Sequence, residues 1–154
     1  MNYVEKLMSQ FPQLEYKFEK EMPAKHKGLC VDNIVYLNPN QTNKELSSTL
    51  AEEIAHYYTS VGDISDYKTP ESRKQERRAK LVAAEMTVHP ALLINAYQKG
   101  CREYWEVADE LGITVGALKE AIELFRQKYG EGFNYEGFNI IFGSSDSIRV
   151  VKLQ

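Results

Sequence analysis

Long apolar runs are missing from this 154-residue chain, and so is any strong imbalance of charge. No stretch approaches the roughly 20 apolar residues that a helix needs to cross a bilayer. The opening Met1-Asn2-Tyr3-Val4-Glu5-Lys6-Leu7-Met8 lacks the apolar core of a signal peptide, so a cytoplasmic location with no membrane partner is expected. The 19 basic and 22 acidic side chains leave a net charge of -3, which argues against a protein built mainly to neutralise phosphates. Cysteine is scarce. Cys30 and Cys101 stand far apart in no metal-type spacing, and two reduced thiols are the default for such a chain. There are no repeats and no low-complexity segments. What remains is about one domain's length, with 43% hydrophobic residues for a core.

Residues 2–10 carry Val4, Leu7 and Met8 on one helical face, and Phe11-Pro12 stops that helix. Over 14–22, Leu14, Tyr16 and Phe18 alternate with charges, so strand and helix compete. The runs 27–31 and 34–37 flank Asp32-Asn33, two residues that tolerate positive φ, and read as a hairpin. A helix capped by Thr42 or Asn43 follows, with Leu46, Leu50, Ile54 and Tyr57/Tyr58 at helical spacing and an end near Gly62. After a polar loop over 63–69, Thr69-Pro70 opens a second long helix reaching about Met86, which His89-Pro90 breaks. Its small Ala79, Ala83 and Ala84 suit close packing against another helix. Helices over about 91–98, 103–111 and 115–128 come next, and Gly132 and Gly137 keep the following stretch irregular. The runs 138–142 and 148–153 close the chain as a hairpin around Gly143-Ser144-Ser145-Asp146. The expected class is α+β and helix-rich, with a small N-terminal antiparallel sheet and a helical C-terminal region ending in a β-hairpin. A core over 1–90 and a second region over 91–154, packed on it as one unit, are the expected divisions.

The first long helix contains Glu52-Glu53-Ile54-Ala55-His56, one residue away from the H-E-x-x-H of zinc peptidases. Residues four apart share a helix face, about 5–6 Å from each other, so Glu52 and His56 could hold one metal ion between them. Glu53, turned by about 100° from Glu52, would lie beside that ion as a base for an attacking water. Glu76, on the next long helix, is the best candidate for a third ligand. Zinc accepts carboxylate oxygen as well as imidazole, and a catalytic site needs three protein ligands plus a position for water. Two carboxylates leave the ion less positive than one would, so its water is less acidified and the ion is held less tightly. The expected cofactor is zinc or another divalent cation. A plainer reading stays open: a glutamate pair on a solvated helix face, and a structural histidine.

The stretch Leu50-Ala51-Glu52-Glu53-Ile54-Ala55-His56-Tyr57-Tyr58-Thr59-Ser60-Val61-Gly62-Asp63-Ile64 resembles the motif helix of the ImmA/IrrE metallopeptidases, in particular their phage and mobile-element branch. Gln75-Glu76-Arg77-Arg78-Ala79, followed by Ala83-Ala84-Glu85-Met86, is similar to that family's third-ligand helix. The resemblance covers most of the chain; it is specific at the motif helix and loose after about residue 90. It implies a zincin-like fold and a zinc-dependent metallo-endopeptidase. The implied substrate is a phage-type helix-turn-helix repressor, whose cleavage derepresses a prophage or mobile element. By position, Glu53 is the implied catalytic base, His56 and Glu76 are implied ligands, and Glu52 takes the place of the first histidine. Ala55 replaces the usual glycine, and His89-Pro90 stands where Met-Pro is frequent. Glu52 leaves two forms of this reading: a metal site of unusual ligation, or an inactive pseudo-peptidase that regulates by binding the repressor.

A third reading comes from Tyr104 to Ala121, which has the look of a helix-turn-helix with the last hairpin as a wing. A DNA-reading helix presents Arg, Lys, Asn or Gln to base edges. Here the second helix offers Lys119, Glu120, Glu123, Arg126 and Gln127, a partly acidic surface. Direct nucleic-acid binding is not expected, and a packing or protein-docking role fits better. Lys74, Arg77, Arg78 and Lys80 read as a solvated face beside Glu76. Tyr57 and Tyr58 could polarise a substrate carbonyl, although packing is the commoner role, and His26 and His89 have no partners at ligand spacing.

Overall fold

The computed structural model describes residues 2–59, 70–142 and 148–153. The expected polar loop over 63–69, the helix end near Gly62 and the turn from Gly143 to Asp146 lie outside the described residues. In chain order the elements are α1 (Tyr3–Gln10), β1 (Glu15–Phe18), β2 (Gly28–Val31), β3 (Ile34–Leu37), α2 (Asn43–Thr59), α3 (Pro70–Thr87), α4 (Pro90–Gln98), α5 (Tyr104–Leu111), α6 (Val115–Tyr129), β4 (Gly132–Tyr135), β5 (Phe138–Phe142) and β6 (Ile148–Lys152). The class is α+β and helix-rich. The chain forms two units, Met1–Ala83 and Ala84–Gln154, and α3 runs through the division. Among the described residues no helix is long and apolar enough to cross a membrane.

In the first unit, Asn2 and Glu5 cap α1 reciprocally. The Glu5 N–H donates to Asn2 Oδ1 at 2.8 Å, and the Asn2 N–H donates to Glu5 Oε2 at 3.2 Å. The alternation of residues 15–18 resolves as strand. β2 and β3 form the expected antiparallel hairpin, with Asp32 at φ 54 in its turn. β1 joins on the other side of β3 and runs parallel to it, from Glu15 opposite Ile34 to Phe18 opposite Leu37. The order is therefore β1-β3-β2, a mixed sheet rather than a wholly antiparallel one. An alternating pattern specifies which face of a strand is buried, not its direction. The connection through Pro23 is long enough to carry the chain across to the far edge. Val35 and Leu37 of the central strand are fully buried, as are Leu50, Ala51, Ile54 and Ala55 of α2. α2 packs on β2 and β3, and α1 packs on α2. Each such Val, Leu or Ile contributes about 1.5–3 kcal/mol through burial, so the seating of α2 on this sheet is strongly fixed.

The second unit is built of α4, α5 and α6 with an antiparallel sheet of order β4-β5-β6. Gly112, at φ 73, ends α5, and the Thr114 hydroxyl caps α6 by accepting from the Ala117 N–H at 3.0 Å. Residues 132–135, expected to be irregular, are a strand. Glu136 and Gly137 both take positive φ, 42 and 84, and make a two-residue hairpin turn. Gly137 thus marks a turn between strands. Gly132 sits in the ladder where a Cβ would come within 2.6 Å of the Ile140 carbonyl oxygen. Phe125 of α6 and Phe142 of β5 stack at 6.3 Å over a core that includes Leu118, Ile122 and Ile140.

Candidate active site

Thr42 starts α2, accepting from the Glu45 N–H at 3.1 Å while its own N–H donates to Glu45 Oε1 at 3.3 Å. Because Leu46, Leu50 and Ile54 take the buried face, Glu52, Glu53 and His56 fall at its margin, half-buried. β2 lies directly against this margin. Gly28 makes that approach possible: a Cβ there would lie 2.8 Å from Thr49 Cγ2 and 3.0 Å from Glu53 Cγ. Cys30, two residues on and so on the same face of the strand, is also half-buried. Its thiol is pushed up to about 11, first by burial and then by the charges of Glu53 and Asp32.

The Glu53 carboxyl is pushed up to about 7, first by burial, then by the charges of Glu52 and Glu76. Three carboxyl groups from two helices therefore act on one another. Glu76 of α3 brings Oε2 to 3.4 Å from His56 Nε2. The pair is close enough for charge attraction but not aligned as a hydrogen bond. Glu76 Oε2 and His56 Nδ1 are both buried and have no hydrogen-bond partner among the described residues.

The structure thus brings His56 and Glu76 together and sets Glu53 in the field of Glu52 and Glu76. It does not close all of them into one donor set. Among the described residues no group of three or more His, Cys, Asp or Glu side chains is placed to hold a metal ion. The assembled pair does fit a cation in chemistry and in spacing. Two donors at about 2.0–2.1 Å from a tetrahedral zinc ion stand about 3.3–3.4 Å apart, and the buried carboxylate oxygen lacks the partner that such an ion would be.

Around this centre, Lys74, Arg77 and Arg78 face solvent. Tyr57 and Tyr58 are exposed and meet edge to face at 4.9 Å, and Tyr58 also lies 5.5 Å from Phe11. His89 caps α4, its Nδ1 accepting from the Ala91 N–H at 3.1 Å. Sequence spacing missed Gly28 and Cys30. Only the glycine carried a usable signal, since glycine inside a strand marks a bulge or a close approach. In the second unit, α5 and α6 form a helix-turn-helix-like pair whose outer face on α6 shows Lys119, Glu120, Glu123 and Gln127. That mixed charge does not suit a phosphate backbone.

The family model described as the IrrE N-terminal-like domain, a peptidase family, covers residues 14–123. The matched span takes in Glu52, Glu53, His56 and Glu76 and runs on into α6. No curated protein and no solved structure matches the chain.

Proposed function

This chain belongs to the IrrE N-terminal-like peptidase family, and on that premise we propose a metal-dependent endopeptidase that cleaves a phage-type helix-turn-helix repressor, derepressing a prophage or mobile element. The observation that carries the proposal is the meeting of His56 and Glu76 from two helices at 3.4 Å, with the carboxyl of Glu53 held near neutrality beside them. His56 and Glu76 would hold the ion, with Glu52 as the third donor. A divalent cation there would supply Lewis-acid polarisation of a peptide carbonyl. Glu53 Oε takes the proton of the attacking water and returns it to the departing amine, from its half-buried place beside Glu52 and Glu76.

The edge strand β2 supports an extended substrate. Its pairing with β3 places a hydrogen-bonded position at Lys27, whose carbonyl accepts from Asn38 N–H at 2.9 Å. By alternation the backbone groups of Gly28 and Cys30 point to the free edge. A peptide adding there as a strand would run alongside Glu53. Glu52, a carboxylate where the resemblance puts an imidazole, favours a second reading: a pseudo-peptidase that regulates by binding the repressor.

Metal content of the purified protein, measured by mass spectrometry beside Glu52→Ala and His56→Ala, separates the two. Near-stoichiometric zinc or another divalent ion in the parent, lost in both variants, is the expected result. Glu53→Gln should then keep the ion and lose repressor cleavage. A parent that stays empty after zinc addition would overturn the peptidase reading in favour of the binding protein.

A further inference from the structure

A second surface, in the C-terminal unit, is built like a binding site and has no part in the chemistry above. Tyr97, Arg102, Ile148, Arg149, Val150 and Val151 line a cleft of about 270 Å³. Arg102 is fixed in it. Its guanidinium lies 3.9 Å over the Tyr97 ring, and Nη1 donates to the carbonyls of Tyr97 and Cys101 at 2.9 and 2.8 Å. Both bonds use Nη1, so Nε and Nη2 meet no acceptor among the described residues. Arg149 stands exposed on the neighbouring strand. Neither guanidinium meets a carboxylate among the described residues, in a chain with more acidic than basic side chains.

The cleft opens beside a free sheet edge. In the order β4-β5-β6, β6 has a neighbour on one side only among the described residues. The Leu153 N–H donates to the Gly137 carbonyl at 2.7 Å, so by alternation Val151 and Arg149 bond inward to β5. The backbone groups of Ile148, Val150 and Lys152 point outward. On the exposed face of the strand, Arg149 is followed two residues later by Val151, which is 42% exposed. Among the described residues this edge therefore offers unpaired main-chain donors and acceptors, one cationic position and one apolar position at strand spacing.

We propose that this edge docks an extended acidic segment of a partner protein, which adds as a strand to β6 and sets a carboxylate opposite Arg149, beside the cleft that Arg102 and Arg149 line. The charge pattern favours a peptide over a nucleic acid: the whole chain, the two cleft arginines included, carries a net charge of -3, which repels a long polyanion. The face pattern specifies the peptide further. A glutamate opposite Arg149 and a β-branched residue two positions away, opposite Val151, match the cross-strand pairs that stabilise sheets.

The test is fluorescence anisotropy of a labelled eight-residue peptide, Thr-Glu-Thr-Val repeated, titrated with the full-length protein. A control peptide carries Lys for Glu. Saturable binding of the acidic peptide alone is expected, weakened by about tenfold or more in Arg149→Glu and Arg149→Gln. Lys152→Pro should weaken it similarly, because it removes an outward N–H while leaving the ladder to β5 intact. Arg149 and Lys152 are exposed, and circular dichroism checks that the variants fold. No binding of the acidic peptide, or equal binding of the lysine peptide, would overturn the proposal. So would Lys152→Pro binding like the parent, or displacement by free glutamate or inorganic phosphate at peptide-like concentrations, since either outcome means a small-anion site and no added strand.

Discussion

In metal-free protein, Glu53→Gln should raise stability at pH 8 and leave it nearly unchanged at pH 4.5. At pH 8 the parent must keep a half-buried carboxylate ionised beside Glu52 and Glu76. The folded state raises that carboxyl from 4.5 to about 7. Between those values the folded protein binds more protons than the unfolded chain, so stability falls as pH rises. The contribution is fully present below about 4.5 and gone above about 7. A shift of that size corresponds to roughly 3 kcal/mol, and screening at a partly exposed site reduces it to about 2 kcal/mol. Glutamine keeps the size of the side chain and removes the charge. Urea unfolding of both proteins with a chelator present, from pH 4.5 to 8, gives the comparison directly. The variant should gain about 2 kcal/mol over the parent across that interval. Adding zinc at pH 8 should narrow the gap, because a cation offsets the repulsion among the carboxylates. A difference that does not change with pH, or a variant less stable than the parent at pH 8, would refute the reasoning.

Two further outcomes follow from the packing of β2 on α2. Gly28→Ala should cost about 1–3 kcal/mol by overpacking, since the added Cβ meets Thr49 Cγ2 at 2.8 Å. Combining it with Thr49→Ser, which removes that methyl, should recover part of the loss; a neutral single substitution would mean that strand and helix are not pressed together. Cys30, held up to about 11, is thiolate in only about one molecule in a thousand at pH 8, against roughly a quarter for an ordinary thiol. Its alkylation by iodoacetamide, read site by site by mass spectrometry, should be slower in the folded than in the urea-unfolded protein by about a hundredfold. Glu53→Gln should speed it several-fold while leaving Cys101 unchanged. Equal rates in folded and unfolded protein would contradict the burial of Cys30 beside Glu53.

The local signals in the chain were legible because they act over a few residues. The cap at Thr42, the stop at His89-Pro90 and the turn at Asp32-Asn33 each satisfy a backbone need that the side chain itself announces. The parallel placement of β1 was not legible, since Leu14, Tyr16 and Phe18 report a period of two and say nothing of direction. β4 was missed for another reason. Gly132 and Gly137 read alike as breakers, but one fits under the Ile140 carbonyl within the ladder and the other supplies a turn. Glycine's two uses, close approach and positive φ, cannot be separated until the neighbouring strand is known.

At the site, helix spacing alone gathers Glu52, Glu53 and His56 on one margin, but the meeting of His56 with Glu76, the field of Glu76 at Glu53, and the approach of Gly28 and Cys30 are tertiary. These contacts bear on the plain reading of the glutamate pair. A pair on a solvated face would leave Glu53 near the ordinary carboxylate range and would leave no buried oxygen without a partner. The structure has Glu53 pushed up to about 7 and Glu76 Oε2 buried without a hydrogen bond. Each is unfavourable for the isolated protein, and each would be relieved by positive charge between the two helices. Departures from local consistency of this kind concentrate at functional sites. Glu52 adds its own charge to that repulsion, so the field at Glu53 is set by carboxylates from both helices.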